Sequence, residues 1–85
     1  MNIKPLEWTP TTRGFWISDT CLGKFAIHNT PPGWWKAHDV TRGAGFKHVR
    51  SRAEAEAQIK NHMARQLAAM IAELTEPEET QNILL

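Results

Sequence analysis

The sequence predicts an α+β domain, a three- or four-stranded antiparallel β-meander packed on one long C-terminal helix. Three observations predict it. Short β-rich runs separated by Gly- and Pro-containing turns occupy the chain up to Val49. Between Ser51 and Glu76 there is no Gly or Pro, and strong helix formers dominate. The hydrophobic period changes from two to that of a helix at Ser51.

The elements follow in order. Leu6-Glu7-Trp8 alternates and sits between Pro5 and Pro10, which suits an edge strand. Phe15-Trp16-Ile17-Ser18 follows the breaker Arg13-Gly14 and is rich in β-formers. Lys24-Phe25-Ala26-Ile27-His28 alternates at period two, and the Leu22-Gly23 turn before it makes a hairpin. Asn29-Thr30-Pro31-Pro32-Gly33 is a turn, because two prolines cannot donate to a ladder. Trp34-Trp35-Lys36-Ala37-His38 is the third strand. Thr41-Arg42-Gly43-Ala44-Gly45 is a loop, and Phe46-Lys47-His48-Val49 is a candidate fourth strand.

Ser51-Arg52-Ala53-Glu54 matches a capping box and opens the helix. Ile59, Met63, Leu67, Met70, Ile71 and Leu74 recur at three- and four-residue spacing and form one stripe. Pro77 ends the helix near Thr75. The domain thus spans residues 1–75, and 76–85 form an acidic, mobile tail ending in Ile83-Leu84-Leu85.

Strand parity places Phe15, Ile17, Phe25, Ile27, Trp35 and Ala37 on a core face against the helix stripe. Trp16, Ser18, Lys24, Ala26, His28, Trp34, Lys36 and His38 then form the opposite, aromatic and basic face. A one-residue slip in register exchanges the two sets. The alternative for Trp16 or Trp34 is a second small core beneath Leu6 and Trp8.

Composition limits the function classes. The chain has 85 residues, 41% hydrophobic and 22% charged, which suits one folded domain rather than a disordered segment. No apolar run is long enough to span a membrane, and the N-terminal stretch lacks a signal-peptide core. Cys21 is the single cysteine, so an intrachain disulfide is excluded and a reducing, cytoplasmic setting is expected. The net charge of +1 hides an asymmetry. Residues 36–65 hold seven Lys/Arg against three acids, +4, and the rest holds three against six, −3. That basic middle includes Lys47, Arg50 and Arg52.

Nothing in the pattern calls for catalysis. His28, His38, His48 and His62 lack the His-x3-His or Cys-x-x-Cys spacing of a metal site, so neither metal nor other cofactor is expected and the histidines read as surface residues. Cys21 has no histidine and acid forced beside it. Arg42-Gly43-Ala44-Gly45 lacks the Lys-Ser/Thr of a phosphate loop and reads as a turn. The expected activity is non-enzymatic.

The spacing Leu6-Glu7-Trp8, Gly14, Trp16, Gly23, Ile27, Gly33-Trp34, followed by an Ala-rich capped helix, resembles small uncharacterised proteins carried by bacterial prophages. It covers residues 6 to about 70. The architecture is also similar to plant ethylene-response-type DNA-binding domains and integrase arm-binding domains, with Phe46 to Ala57 matching their strand-to-helix junction. That similarity implies sheet side chains entering the major groove. Only Lys24 and Lys36 stand where those domains carry their arginines.

Two functions compete on these grounds. One is a phage- or mobile-element-borne, protein-binding inhibitor or adaptor of a host machine, of the anti-CRISPR type among others. The other is nucleic-acid binding through Trp16, Lys24, His28, Trp34, Lys36 and His38 with Lys47, Arg50 and Arg52. The modest net charge favours a host protein slightly as partner. Self-association is a further expectation. A helix from Arg52 to Leu74 is about 34 Å long, whereas strands of this length reach about 20 Å. Leu67, Met70, Ile71 and Leu74 would then overhang the sheet, and a homodimer would bury them.

Overall fold

A computed structural model of the chain describes residues 2–76. Five antiparallel strands lie in sequential order, β1 (Thr9–Pro10), β2 (Phe15–Thr20), β3 (Gly23–Thr30), β4 (Trp34–Asp39) and β5 (Ala44–Gly45). One helix, α1 (Arg52–Leu74), follows and packs on β3 and β4. The fold is α+β as expected, but the sheet has five strands rather than three or four.

The extra count comes from two-residue outer strands. β1 pairs Thr9 with Ile17 and Pro10 with Trp16, where an edge tolerates the missing proline N–H. Leu6-Glu7-Trp8, expected as that edge strand, is not one. Ile3, Leu6 and Trp8 pack against the core, and the Leu6 amide donates to Glu56 Oε2 over 3.1 Å. On the other edge the ladder forms at Ala44–Gly45, expected as loop, rather than continuously over Phe46–Val49. That segment rejoins β4 through Phe46 N–H to Ala37 O, 3.0 Å, and the reciprocal Trp35–Val49 bonds, 2.7 and 2.9 Å. Between them the Lys47 carbonyl accepts from Gln58 on α1 over 3.1 Å instead of joining the ladder.

The β2–β3 hairpin closes on Cys21–Leu22, with Thr20 opposite Gly23. Gly23 has φ +132°, and a Cβ there would meet Thr41 Oγ1 at 3.0 Å, so the turn requires glycine. The register sets Trp16 opposite Ile27 and Ser18 opposite Phe25. Trp16 and Ser18 therefore lie on the helix side, and Phe15 and Ile17 on the open side. This reverses the expected assignment for β2, while β3 and β4 keep theirs.

The helix side holds the core. Phe25, Ile27, Ala37, Ala55 and Ile59 are fully buried, with Met63 and Leu22 nearly so. Trp16 and Trp35 pack against this cluster with ring centroids 5.7 Å apart. Trp16 therefore joins the main helix-side core rather than a second small core beneath Leu6 and Trp8. Ser51 caps α1 as the motif predicts, its hydroxyl accepting from the Glu54 amide over 3.1 Å. Glu54 Oε1 returns to the Ser51 hydroxyl, 3.2 Å, rather than to the Ser51 amide. The helix ends at Thr75, as expected. The tail 77–85, including Ile83-Leu84-Leu85, lies outside the described residues. Among the described residues no helix is long and apolar enough to cross a membrane.

Candidate functional site

The helix covers one face of the sheet and leaves the other open. Alternation brings Phe15 and Ile17 of β2, Lys24, Ala26, His28 and Thr30 of β3, and Trp34, Lys36 and His38 of β4 to the open face. Three of these form an aromatic tract that crosses three strands. The Phe15 and His28 ring centroids are 4.4 Å apart, His28 and His38 are 5.1 Å apart, and Phe15 and His38 are 6.4 Å apart. Small Ala26 lies beneath, 3% exposed. These side chains line a shallow groove of about 510 Å³, walled by Val40 and Ala44.

Cations rim the tract. The Arg50 guanidinium carbon sits 3.8 Å from the Trp34 ring centroid, a cation–π pair at one corner. Lys36 lies over Gly45, where a Cβ would meet its Cε at 3.4 Å, and its ammonium donates to the Phe46 carbonyl. Lys24 stands at the hairpin end, exposed, with Nζ 3.9 Å from Asp19 Oδ1. An exposed pair at that distance leaves Lys24 available to a stronger anion.

His28 and His38 meet at Nε2, 3.0 Å apart. Burial pushes the pKa of both below the ordinary histidine value. His48 and Lys36 add to this for His28, and His28, Lys36 and His48 for His38. His48 thus belongs to the electrostatics of this face. No carboxylate contributes to either shift.

No family model, curated protein or solved structure matches the chain. The site is therefore defined by its own residues.

Six of the expected binding residues share the open face or its corner: Lys24, His28, Trp34, Lys36, His38 and Arg50. Three do not. Trp16 is on the helix side. Arg52 is there too, its guanidinium carbon 5.1 Å from the Trp16 ring centroid. Lys47 is exposed in the edge segment, with its carbonyl held by Gln58. Phe15 and Ile17, expected in the core, join the site instead. The hairpin carries the signal for this, because a two-residue turn pairs odd positions of one strand with even positions of the next.

A second cluster lies beneath the helix. Asp39 is fully buried, and its Oδ2 accepts from His62 Nε2 over 2.8 Å. Oδ1 accepts from the Arg42 amide at 3.1 Å, and Arg42 Nη1 reaches both Asp39 Oδ2, 3.3 Å, and the Leu22 carbonyl, 2.9 Å. Burial acts to raise the Asp39 pKa, but the His62 bond and the Arg42 bonds and charge outweigh it and hold the carboxyl below its ordinary value. His62 is consequently not a surface histidine. It packs edge-on against Phe25 and Phe46, with centroids 6.1 and 5.2 Å away. The network ties the β4–β5 turn to the hairpin and the helix, and it presents no free nucleophile.

Two other places hold less chemistry. Cys21 is an exposed thiol in the β2–β3 turn. It edges a groove of about 560 Å³ between the N-terminal segment and α1, floored by Leu22, Met63 and Leu67, where no cationic or aromatic cluster gathers. Among the described residues no group of three or more His, Cys, Asp or Glu side chains is placed to hold a metal ion. On α1, Leu67 packs against the core, whereas Met70 (47% exposed), Ile71 (48%) and Leu74 (81%) project beyond it.

Proposed function

We propose that this chain is a non-enzymatic, cytoplasmic binding module that holds single-stranded nucleic acid on its open sheet face. The aromatic tract Phe15–His28–His38 carries this reading. Half-buried rings across neighbouring strands of an uncovered sheet offer flat surfaces on which splayed bases stack. Lys24, Lys36 and Arg50 around them meet the phosphates. The covered position of Trp16 moves the stacking role to Phe15.

The test is anisotropy of a labelled single-stranded oligonucleotide. Log affinity should fall with log salt at about −0.7 per phosphate engaged. Phe15→Ala should weaken binding by about 1–3 kcal/mol. A duplex competing equally well would favour entry of the sheet into a major groove. Absence of binding at low salt to single strands and duplex alike overturns the reading.

The second reading is a protein-binding inhibitor or adaptor of a host machine, borne by a phage or mobile element. The projecting apolar end of α1 favours it, because contiguous exposed apolar side chains mark interfaces. Under that reading Met70→Glu with Leu74→Glu abolishes complex formation, whereas Phe15→Ala leaves it intact.

A further inference from the structure

We propose that His28 and His38 together form a proton-gated site for a phosphate oxygen at the centre of the open face. The phosphate source rests on the nucleic-acid reading above; the gate itself rests on the histidine geometry, and the surroundings set the pH at which it opens. The two rings are close to parallel, 16° apart, with centroids 5.1 Å and Nε2 atoms 3.0 Å apart. The centroid separation nearly equals the Nε2 separation plus two ring radii, so the nitrogens face each other along the line of centres. One Nε2–H donates and the other Nε2 accepts.

This arrangement has three protonation states. In the neutral pair the N–H···N bond is intact. A first added proton goes to Nδ1 of the donor ring, and the bond survives with charge assistance. A second must go onto the accepting Nε2. Two N–H groups then face each other with no acceptor between them. Their repulsion drives the two imidazoles apart, and an anionic oxygen that enters the widened gap accepts from both, so the second proton and the oxygen arrive together.

The surroundings suit an anion. Lys36 from β4 and His48 from the edge segment act on the pair, and β2 places Phe15 and Ile17 beside it, with Asp19 farther along the strand. Glu7 and Asp19 edge this face beyond Ile17, Asp19 at the hairpin end 3.9 Å from Lys24, and neither carboxylate contributes to the shifts of the pair. The helix packs on the other face and sends no charge here. Burial and the neighbouring cations hold both histidines below their ordinary pKa, so the site is closed near neutral pH and opens on acidification.

The probes are a single-stranded oligothymidylate, whose bases do not titrate in this range, and inorganic phosphate. Oligothymidylate affinity should rise roughly tenfold between about pH 7.5 and about pH 5.5, with proton uptake on binding. His28→Gln and His38→Gln should each flatten that dependence. Lys24→Gln should weaken binding and keep it. Inorganic phosphate at the lower pH should shift the imidazole NMR signals of both histidines in the unaltered protein, a readout that needs no variant to fold. Oligothymidylate binding that is indifferent to pH, or phosphate that leaves both imidazoles unmoved, overturns the proposal. Phosphate moving both imidazoles while no oligonucleotide binds at any pH keeps the site and removes the nucleic-acid reading.

Discussion

His62 on α1 donates to Asp39 on β4 across 2.8 Å, joining helix to sheet through a carboxylate with no exposed surface. The His62 ring packs edge-on against Phe25 and Phe46, which fixes its orientation toward the carboxylate. Removing the carboxylate strands His62 and Arg42, both of which retain some contact with water. Asp39→Ala should therefore cost about 3 kcal/mol, the low end for breaking a buried ion pair. Urea denaturation measures it, and a loss below about 1 kcal/mol would show that the tie is dispensable.

The same carboxyl sets an acid limit. Its pKa is lower folded than unfolded, so its contribution is complete above the ordinary carboxylate range and is lost as pH falls through the depressed folded value. The denaturation midpoint should drop below about pH 4. In Asp39→Asn that part of the pH dependence should be absent.

The histidine pair acts at higher pH and with the same sign. Both pKa values are lower folded than unfolded, so the unfolded chain takes up protons first. Stability should fall as pH drops below about 6.5 and level off once the folded values are passed. The double variant His28→Gln with His38→Gln should remove this phase while leaving the acid phase of Asp39. An unaltered profile in that variant would mean that the pair is not under strain on protonation.

The β2 assignment makes a sharp contrast between adjacent residues. Trp16 packs on Trp35 and the core, whereas Phe15 lies on the open face. Trp16→Ala should cost about 2 kcal/mol or more, and Phe25→Ala, fully buried, about 3–5 kcal/mol. Phe15→Ala should cost under about 1 kcal/mol. Equal losses at positions 15 and 16 would place both faces in a core.

Alternation alone assigns β3 and β4 to the right faces and β2 to the wrong one, and the difference is turn length. Within each strand, period two separates the faces but does not say which set meets the helix. The β3–β4 connection has three residues, Pro31 to Gly33, so Thr30 pairs with Trp34 and like parities share a face. The β2–β3 connection has two, Cys21 and Leu22, so unlike parities share one. Matching apolar Phe15 and Ile17 to the core ignores that rule, and the rule wins because in a hairpin the loop length fixes the register and Phe25 and Ile27 anchor the core side of β3. The cap at Ser51 and the stop near Thr75 were legible because both are local. The Asp39–His62 bond was not, because its partners are 23 positions apart and no local pattern couples them. The short outer strands carry too few residues to show a period.

The helix start gives a local check. Ser51→Ala removes the hydroxyl that accepts from the Glu54 amide and also the partner of the Glu54 carboxylate. It should cost about 1 kcal/mol. A midpoint unchanged from the parent would mean that the first turn is held by packing at Ala55 alone.

The last prediction concerns the projecting end of α1. Buried helix residues stop at Met63, and Leu67 only partly covers the core edge. Met70, Ile71 and Leu74 continue the same stripe into solvent, one to two turns beyond the sheet's reach. A second copy that packs its own stripe antiparallel against this one buries both by a two-fold symmetric contact. Light scattering at about tens of micromolar should then report twice the monomer mass, because a contact of this modest extent dissociates on dilution. Met70→Glu with Ile71→Glu, both on the projecting part of the stripe, should give a folded monomer, with the denaturation midpoint no longer dependent on protein concentration. A parent protein that is monomeric throughout that range would rule out the homodimer and leave the stripe to a different partner.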